Sequence, residues 1–398
     1  MTLPGLLHRK QLVVLGLNSG TSADGLDLAA LRLVRRGRKV SVAFLAGSER
    51  TYPPAIRDAV LAAADATTLP PDQIVYLDQL LGRFYARTAR QFIMRLAKRG
   101  IKVDAVASHG QTVRHLPKPT EVAGFRVHGT MQLGSPEQIA TVTGLVTVGD
   151  FRQADVAAGN EGAPITVAAV ARLFGHPKEA RLIVNIGGMS NFFYIPAGAN
   201  PARIRAADCG PGNSLSDLLS RKLHGCKYDH QGQKAAAGTP SERLYHLLTA
   251  ESFFNGGTKS TGREVFGAAM ADKMLAFSKQ FDLKPDDLLA TAGELTVRSI
   301  AARVRPLFDN DKTLRSLYLT GGGEHNRFFV RRLKKLLGGP DVVSIRKLGF
   351  DPKLVEAASY AVLGEACLRS EPLPTRFDGR PQKVMPVLGR IVQPPQKR

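Results

Sequence analysis

Cysteine is scarce in this sequence, acidic residues are outnumbered, and no apolar run is long. The cysteines are three, Cys209, Cys226 and Cys367, an odd and scattered set with no CxxC spacing. That excludes a disulfide framework and a structural zinc site and suits a reducing cytosol. Nowhere do about 20 apolar residues follow one another, so no membrane span is expected. After Arg9 and Lys10 the apolar run from Leu12 is only six residues, too short for a signal-peptide core. A soluble, cytoplasmic protein is the expectation.

The shortage of acid is the odd feature, since 55 Lys and Arg against 34 Asp and Glu leave a net charge of +21. Such a balance suits nucleic acid, an anionic membrane or an anionic small substrate. The basic residues are dispersed, with modest clusters at Arg35 to Lys39, at Arg331 to Lys335 and in the C-terminal tail, and no aromatic-interleaved pattern accompanies them. An anionic nucleotide substrate explains the charge better than nucleic acid does.

What is present in quantity is glycine, 39 residues, in a chain of 398 that is 43% apolar. That length exceeds one typical core, so two domains are expected. Disorder is expected only at Met1 to Lys10 and Gln393 to Arg398.

The most informative stretch is Asn18 to Asp27, NSGTSADGLD, between the apolar runs Leu12 to Leu17 and Leu28 to Val34. Both runs read as buried strands. Gly20 and Gly25 let the intervening loop fold tightly and aim amide N–H groups and the hydroxyls of Ser19, Thr21 and Ser22 at one spot, a concavity suited to phosphate. An ordinary hairpin loop is the alternative.

Val40 to Ala46 reads as a third strand, followed by helices over Pro53 to Ala66 and Phe84 to Arg99. The strand Val103 to Ala107 ends in Ser108-His109-Gly110-Gln111-Thr112, and polar residues at the carboxyl end of a buried strand are where α/β proteins hold ligands. Leu116 to Gly129 reads as a proline- and glycine-punctuated loop. Asp150 and Arg152, two apart on an extended segment, are expected to face one side and grip a hydroxyl-bearing ligand, or else to form a buried ion pair.

The opening theme returns in the second half: strand Arg181 to Ile186, turn Gly187-Gly188-Met189-Ser190-Asn191, return strand Phe192 to Ile195. Two such clamps could hold a nucleotide's phosphates from both sides. Asp208 ends the strand Ile204 to Ala207 ahead of Cys209-Gly210-Pro211-Gly212-Asn213, mounted as a general base should be, or as a turn cap. A helix follows from Ser214 to Leu223, and another starts at Thr239-Pro240-Ser241-Glu242. Gly256 to Gly262 fails as a P-loop, because no glycine precedes Lys259 and no strand feeds it. Leu317 to Leu319 runs into Thr320-Gly321-Gly322-Gly323, bare backbone against which an adenine could lie, then a helix from Asn326 to Leu337. Val355 to Leu368 is a last helix and Pro372 to Val392 a covering tail.

Taken in order, NSGTSADGLD, SHGQT, GDFR with DVAAGNEGAP, NIGGMSN, DCGPGN, KSTGRE (Lys259 to Glu264), TGGGEHN and VEAASYA (Val355 to Ala361) resemble the anhydro-N-acetylmuramic acid kinases, over Leu12 to Arg390. The resemblance implies an α/β fold of two ribonuclease-H-like domains of the actin/hexokinase superfamily with a nucleotide cleft between them, residues 1–148 plus 356–398 forming one and 149–355 the other. It implies an ATP-dependent kinase, working with Mg²⁺, that opens a 1,6-anhydro bridge and phosphorylates O6. Asp208 would be the catalytic base. Gly16, Ser19, Gly20, Thr21, Ser22, Asp24, Gly25 and Asp27 would serve the phosphates with Gly187, Gly188, Gly210, Gly212 and Asn213, and Gly321, Gly322, Gly323 and Asn326 the adenosine. His109, Gln111, Asp150, Arg152 and Glu356 would hold the sugar, and the metal ligands stay unassigned. Asn18, Ala23 and Cys209 depart from the usual pattern, and Asn18 and the tail are also similar to levoglucosan kinases. A homodimer is compatible with the sequence.

Overall fold

The computed structural model describes residues 3–20, 22–37, 39–66, 68–199, 203–250, 263–375, 382 and 384–396. The chain divides into two compact units, one holding, among the described residues, the chain up to Leu173 and again from Leu354, the other Phe174–Lys353.

In the first unit β1 (Gln11–Ser19), β2 (Gly25–Arg36) and β3 (Lys39–Thr51) form an antiparallel meander. β4 (Ala105–Val122) runs parallel to β1 and pairs antiparallel with β5 (Phe125–Leu133). β6 (Val146–Gly149) is parallel to β4 and is flanked by the strand Arg390–Val392. β1 reads as an unbroken apolar run because both its faces are covered. Val13, Leu15 and Leu17 share a core with the helices Pro54–Asp65 and Pro71–Lys98. Gly16, of the other parity, lies under the helix Val355–Leu368, whose Ala357 carbonyl oxygen would sit 1.9 Å from a Cβ there. That helix is built from small and apolar residues and is buried at every position except Glu356.

The second unit repeats the plan. β7 (Ala180–Ile186), β8 (Met189–Ile195) and β9 (Arg205–Pro211) are an antiparallel meander, β10 (Leu314–Thr320) is parallel to β7, and β11 (Asp341–Ser344) is parallel to β10. The shared sequence of three antiparallel strands, a fourth parallel to the first and a fifth parallel to the fourth is the doubled ribonuclease-H-like α/β arrangement expected. The core of this unit gathers around the 26-residue helix Pro285–Asn310, which contributes Leu288, Leu295, Ile300 and Val304.

Several expectations are corrected. Leu116 to Gly129 is no loop: β4 and β5 continue past the sheet as a two-stranded ribbon turning at Ala123 and Gly124, with φ of 49° and 81°. Paired positive φ values give the twist that suits a tight hairpin. Leu116, Val122, Phe125 and Val127 are exposed there, so no burial pattern announced the strands. The first passage between units falls after Leu173 rather than at 148/149, because the intervening segment is tied to the first unit: His128 Nε2 meets Asn160 O at 2.8 Å, and Arg172 pairs with Glu371. The return falls between Lys353 and Leu354, not at 355/356. Near the N-terminus, Leu3–Leu7 is a short helix that buries Leu6.

Candidate active site

The candidate residues of the first unit stand at the carboxyl ends of β1 and β6, in the first half of β4, at the start of β2 and on the helix Val355–Leu368. Where β4 parts from β1 the pairing slips by one residue, Leu17 opposing Ser108 but Ser19 opposing Gln111. Gly110, at φ 81°, takes up the extra residue, and such a bulge re-aims the neighbouring side chains. His109 and Gln111 therefore serve different partners.

Gln111, expected on the sugar, is 1% exposed and its amide is engaged by the Gly/Ser loop and by Thr112. Its Nε2 donates to Gly20 O at 3.1 Å and Thr112 O at 3.3 Å, and its Oε1 lies 2.7 Å from Ser19 Oγ. Ser19 Oγ is also 2.8 Å from Gly25 O and accepts from the Tyr52 hydroxyl at 2.8 Å. Asp24 O accepts from Tyr52 N, and Ala23 takes a left-handed φ of 52°. Ser22 and Asp24 are exposed at the loop surface, and Asp27 is half-buried opposite Asn18 on β2. Thr21 lies outside the described residues.

His109 is buried against Tyr360, the rings 4.5 Å apart and near parallel, and its Nε2 accepts from Arg152 Nε at 3.0 Å. The ring proton is thus assigned to Nδ1. Burial, then the Arg152 charge, hold this imidazole well below its usual pKa against a smaller opposing pull from the Gly110 backbone, so it is neutral. Asn18, 3% exposed, donates through Nδ2 to Glu356 Oε2 at 2.7 Å. The extended segment expected through Asp150 and Arg152 is absent. Asp150 adopts φ 54°, ending β6, and Arg152 stands just ahead of the short helix Gln153–Ala157, with no side-chain bond to it. Asp150 is half-buried, and desolvation raises its pKa against the pull of Arg390. Gly16 faces the helix Val355–Leu368, as described, rather than the loop.

In the second unit β9 slips against β8 in the same way: Ser190 opposes Gly210 and Asn191 opposes Asp208, leaving Cys209 as the extra residue. Gly210, at φ 140°, permits it. Asp208, half-buried, is thus held on regular backbone at the brink of a bulge. The Cys209 thiol is pushed up by burial and then by the Asp208 carboxylate beside it.

The glycines of this unit come together. Gly187 O accepts from Asn213 N at 2.8 Å and from Asn213 Nδ2 at 3.0 Å, and Gly188 O accepts from Gly212 N at 3.0 Å and Ser214 N at 3.1 Å. The β7–β8 turn therefore caps the helix Asn213–His224 with its carbonyls. Gly212 must be glycine, because a Cβ would meet Gly187 O at 2.4 Å. Gly321, at φ 78°, and Gly323 lie against Asn185 and Ile186 at the end of β7, and Gly322 is exposed beside Asn213. Asn326 caps the helix Arg327–Leu337, its Oδ1 accepting from Phe329 N at 3.2 Å. Lys259 to Gly262 of KSTGRE lie outside the described residues.

Sequence reading missed Tyr52 and Tyr85. Nothing local marks them, since each acts through residues distant in the chain; Asn185 sat inside NIGGMSN and Tyr360 inside VEAASYA without a role.

The sequence model of the family described as anhydro-N-acetylmuramic acid kinase matches residues 12–391. Among curated proteins of that name, the chain is 37% identical to one from Salinibacter ruber, over 92% of this chain and 93% of that protein. It is 37% identical to one from Trichormus variabilis, over 96% and 97%, and 38% identical to one from Pseudomonas putida, over 89% and 92%.

Proposed function

We infer the role of each residue group from one premise: the chain belongs to the anhydro-N-acetylmuramic acid kinase family. It is an enzyme that opens the 1,6-anhydro bridge of 1,6-anhydro-N-acetylmuramic acid with water, transfers the γ-phosphoryl group of ATP to O6, and yields N-acetylmuramate 6-phosphate and ADP in cell-wall recycling. The match over residues 12–391 is the observation that carries this activity.

Asp208 is the general base. Its carboxylate takes a proton from water as the water oxygen bonds to the anomeric carbon; the bond from that carbon to O6 breaks, and O6 receives the phosphoryl group. The bulge at Cys209 supports the assignment, since a base must be held on backbone that does not yield. No covalent nucleophile is needed, because phosphoryl transfer is governed by positioning and charge stabilisation.

The loop from Ser19 to Asp27 serves the phosphates. Its carbonyls at Gly20, Asp24 and Gly25 are tied to Gln111, Tyr52 and Ser19, which supports an arrangement free of carbonyl repulsion toward an anion. In the second unit Gly187, Gly188 and Gly322 offer bare backbone to the nucleotide, while Asn213 holds the Gly187 carbonyl and Asn326 N–H bonds Gly323 O beside Gly322. Mg²⁺ enters with ATP as part of the substrate. Among the described residues no three His, Cys, Asp or Glu side chains gather at one point, a donor set that suits a cation carried by phosphate and water.

For the sugar, Arg152 is the group suited to the lactyl carboxylate, one edge of its guanidinium being fixed by neutral His109. Glu356, steadied by Asn18, and Asp150 accept from hydroxyls. No described helix is long and apolar enough to cross a membrane. The three cysteines are unpaired, which supports a cytosolic location.

The test is coupled ADP release at saturating MgATP with 1,6-anhydro-N-acetylmuramate and, separately, levoglucosan, which lacks the lactyl and acetamido groups. The muramate is preferred if Arg152 reads the carboxylate; preference for levoglucosan overturns the sugar assignment while keeping the chemistry.

A further inference from the structure

Four side chains that no part of the chemistry above uses directly, or uses only in part, form one buried hydrogen-bonded line in the first unit. Tyr85 on the helix Pro71–Lys98 is fully buried, and its hydroxyl is 2.6 Å from that of Tyr52. Tyr52, 3% exposed, donates to Ser19 Oγ at 2.8 Å, and Ser19 reaches Gln111 Oε1 and Gly25 O.

The proton count gives the line a direction. Each hydroxyl has one proton, so Tyr85 donates to Tyr52, Tyr52 to Ser19, and Ser19 to one of its two carbonyl-type acceptors. Burial, ahead of every other influence, drives the Tyr52 hydroxyl up to about 12 and that of Tyr85 well above its ordinary value, so both remain donors through the physiological range. The rings are held as well: Tyr52 and Tyr85 stack at 6.4 Å, and Phe84 meets Tyr52 edge-on at 5.3 Å. A Cβ at Gly134 would stand 2.6 Å from the Tyr85 ring, so the backbone just past β5 leaves that ring no retreat on that side.

What the line ends on is the backbone of the Gly/Ser loop. Gly25 O is met by Ser19, Gly20 O by Gln111, and Asp24 O by the Tyr52 backbone N–H. A loop with glycines at both ends can flip its peptide planes cheaply. A flip that turned a carbonyl outward would place a partial negative charge where a phosphate is to sit.

We propose that Tyr52 and Tyr85 are positioning residues for ATP: acting through Ser19 and Gln111, they keep the carbonyls of Gly20 and Gly25 turned inward and so hold that backbone in its phosphate-accepting form. This rests on the assignment of that loop to the phosphates.

The test uses the full-length enzyme with Tyr52→Phe, Tyr85→Phe, Ser19→Ala and the double variant Tyr52→Phe/Ser19→Ala, reading KM for MgATP, KM for the sugar, kcat and melting temperature. The expected result is a rise in KM for MgATP of about three- to tenfold in each tyrosine variant, with KM for the sugar within about twofold. The double variant should be no worse than Ser19→Ala alone, because the tyrosines act through that serine. A folded Tyr52→Phe whose melting point falls while KM for MgATP stays within about twofold of wild type overturns the proposal, as does full additivity in the double variant. Should Tyr85→Phe not fold, Tyr52→Phe decides alone. If the wild-type enzyme shows no ATP-dependent turnover, the phosphate assignment has failed, and hydrogen exchange at the loop amides then judges the line by itself: faster exchange in Tyr52→Phe supports it and unchanged exchange refutes it.

Discussion

Replacing Gly16 with alanine tests whether this glycine serves packing or phosphate. The added Cβ would stand 1.9 Å from Ala357 O and 2.8 Å from Ala361 N, both main-chain atoms of the helix Val355–Leu368. Ordinary contact is about 3.5 Å, so the helix or β1 must give way by about 1.6 Å. Neither yields readily. The helix is buried at every position except Glu356, and β1 is paired with β2 on one side and β4 on the other. Overpacking of this kind costs about 2–3 kcal/mol, equivalent to roughly 4–12 °C in a unit of this size. Gly20→Ala is the control, since a Cβ there meets nothing closer than Ser22 Oγ at 3.8 Å. It should change stability by less than about 0.5 kcal/mol while raising KM for MgATP about tenfold, because the added methyl group keeps a phosphate from the loop backbone assigned to it. Thermal unfolding and steady-state kinetics on both variants decide. Gly16→Ala with an unchanged melting point and weakened ATP would refute the packing argument and restore Gly16 to the phosphate loop.

Asp208→Asn should lower turnover by about two to four orders of magnitude while leaving ATP affinity within about threefold, because it removes proton abstraction and little ground-state contact; isothermal titration with ATP and turnover kinetics check the two halves. His109, held neutral by burial, makes stability depend on pH in a definite sense. Its folded pKa lies below the unfolded value of about 6.5, so its contribution is complete above that pH and is lost as pH falls, by up to about 1.4 kcal/mol per pH unit. Denaturant titrations between neutral and acidic pH should show this slope in the wild type and a shallower one in His109→Gln. Arg152→Lys should raise KM for the muramate sugar about tenfold or more and leave KM for levoglucosan nearly unchanged, since the planar fork is what a carboxylate matches; competition between the sugars reads it.

Much of the framework was legible because it is written in burial. The run Leu12 to Leu17 is apolar or glycine throughout, the run Arg181 to Ile186 is apolar except at Arg181 and Asn185, and both are central strands. Gly/Ser turns after each of them announced the doubled plan. What escaped was set by distant contacts or by backbone angles. The outer parts of β4 and β5 are exposed, so their strands carry no alternation against a core. Asp150 occupies a left-handed angle that a two-residue spacing argument does not foresee. Gln111 sits in a polar motif and was expected on the sugar; its amide bonds Gly20 and Ser19 of the loop and Thr112 beside it, contacts set by the fold. Asn326, read as the start of a helix, is its cap, a local feature that the sequence does carry.

The most direct measurement of the central claim is to run the reaction in H₂¹⁸O with 1,6-anhydro-N-acetylmuramate and MgATP and locate the label in the product. If Asp208 activates water at the anomeric carbon while O6 takes the phosphoryl group, the ¹⁸O appears at the anomeric hydroxyl, the phosphate is unlabelled, and Asp208→Asn forms no labelled sugar phosphate beyond the wash-out background. Label in the phosphate, or a phosphorylated sugar with its anhydro bridge intact, would contradict the account.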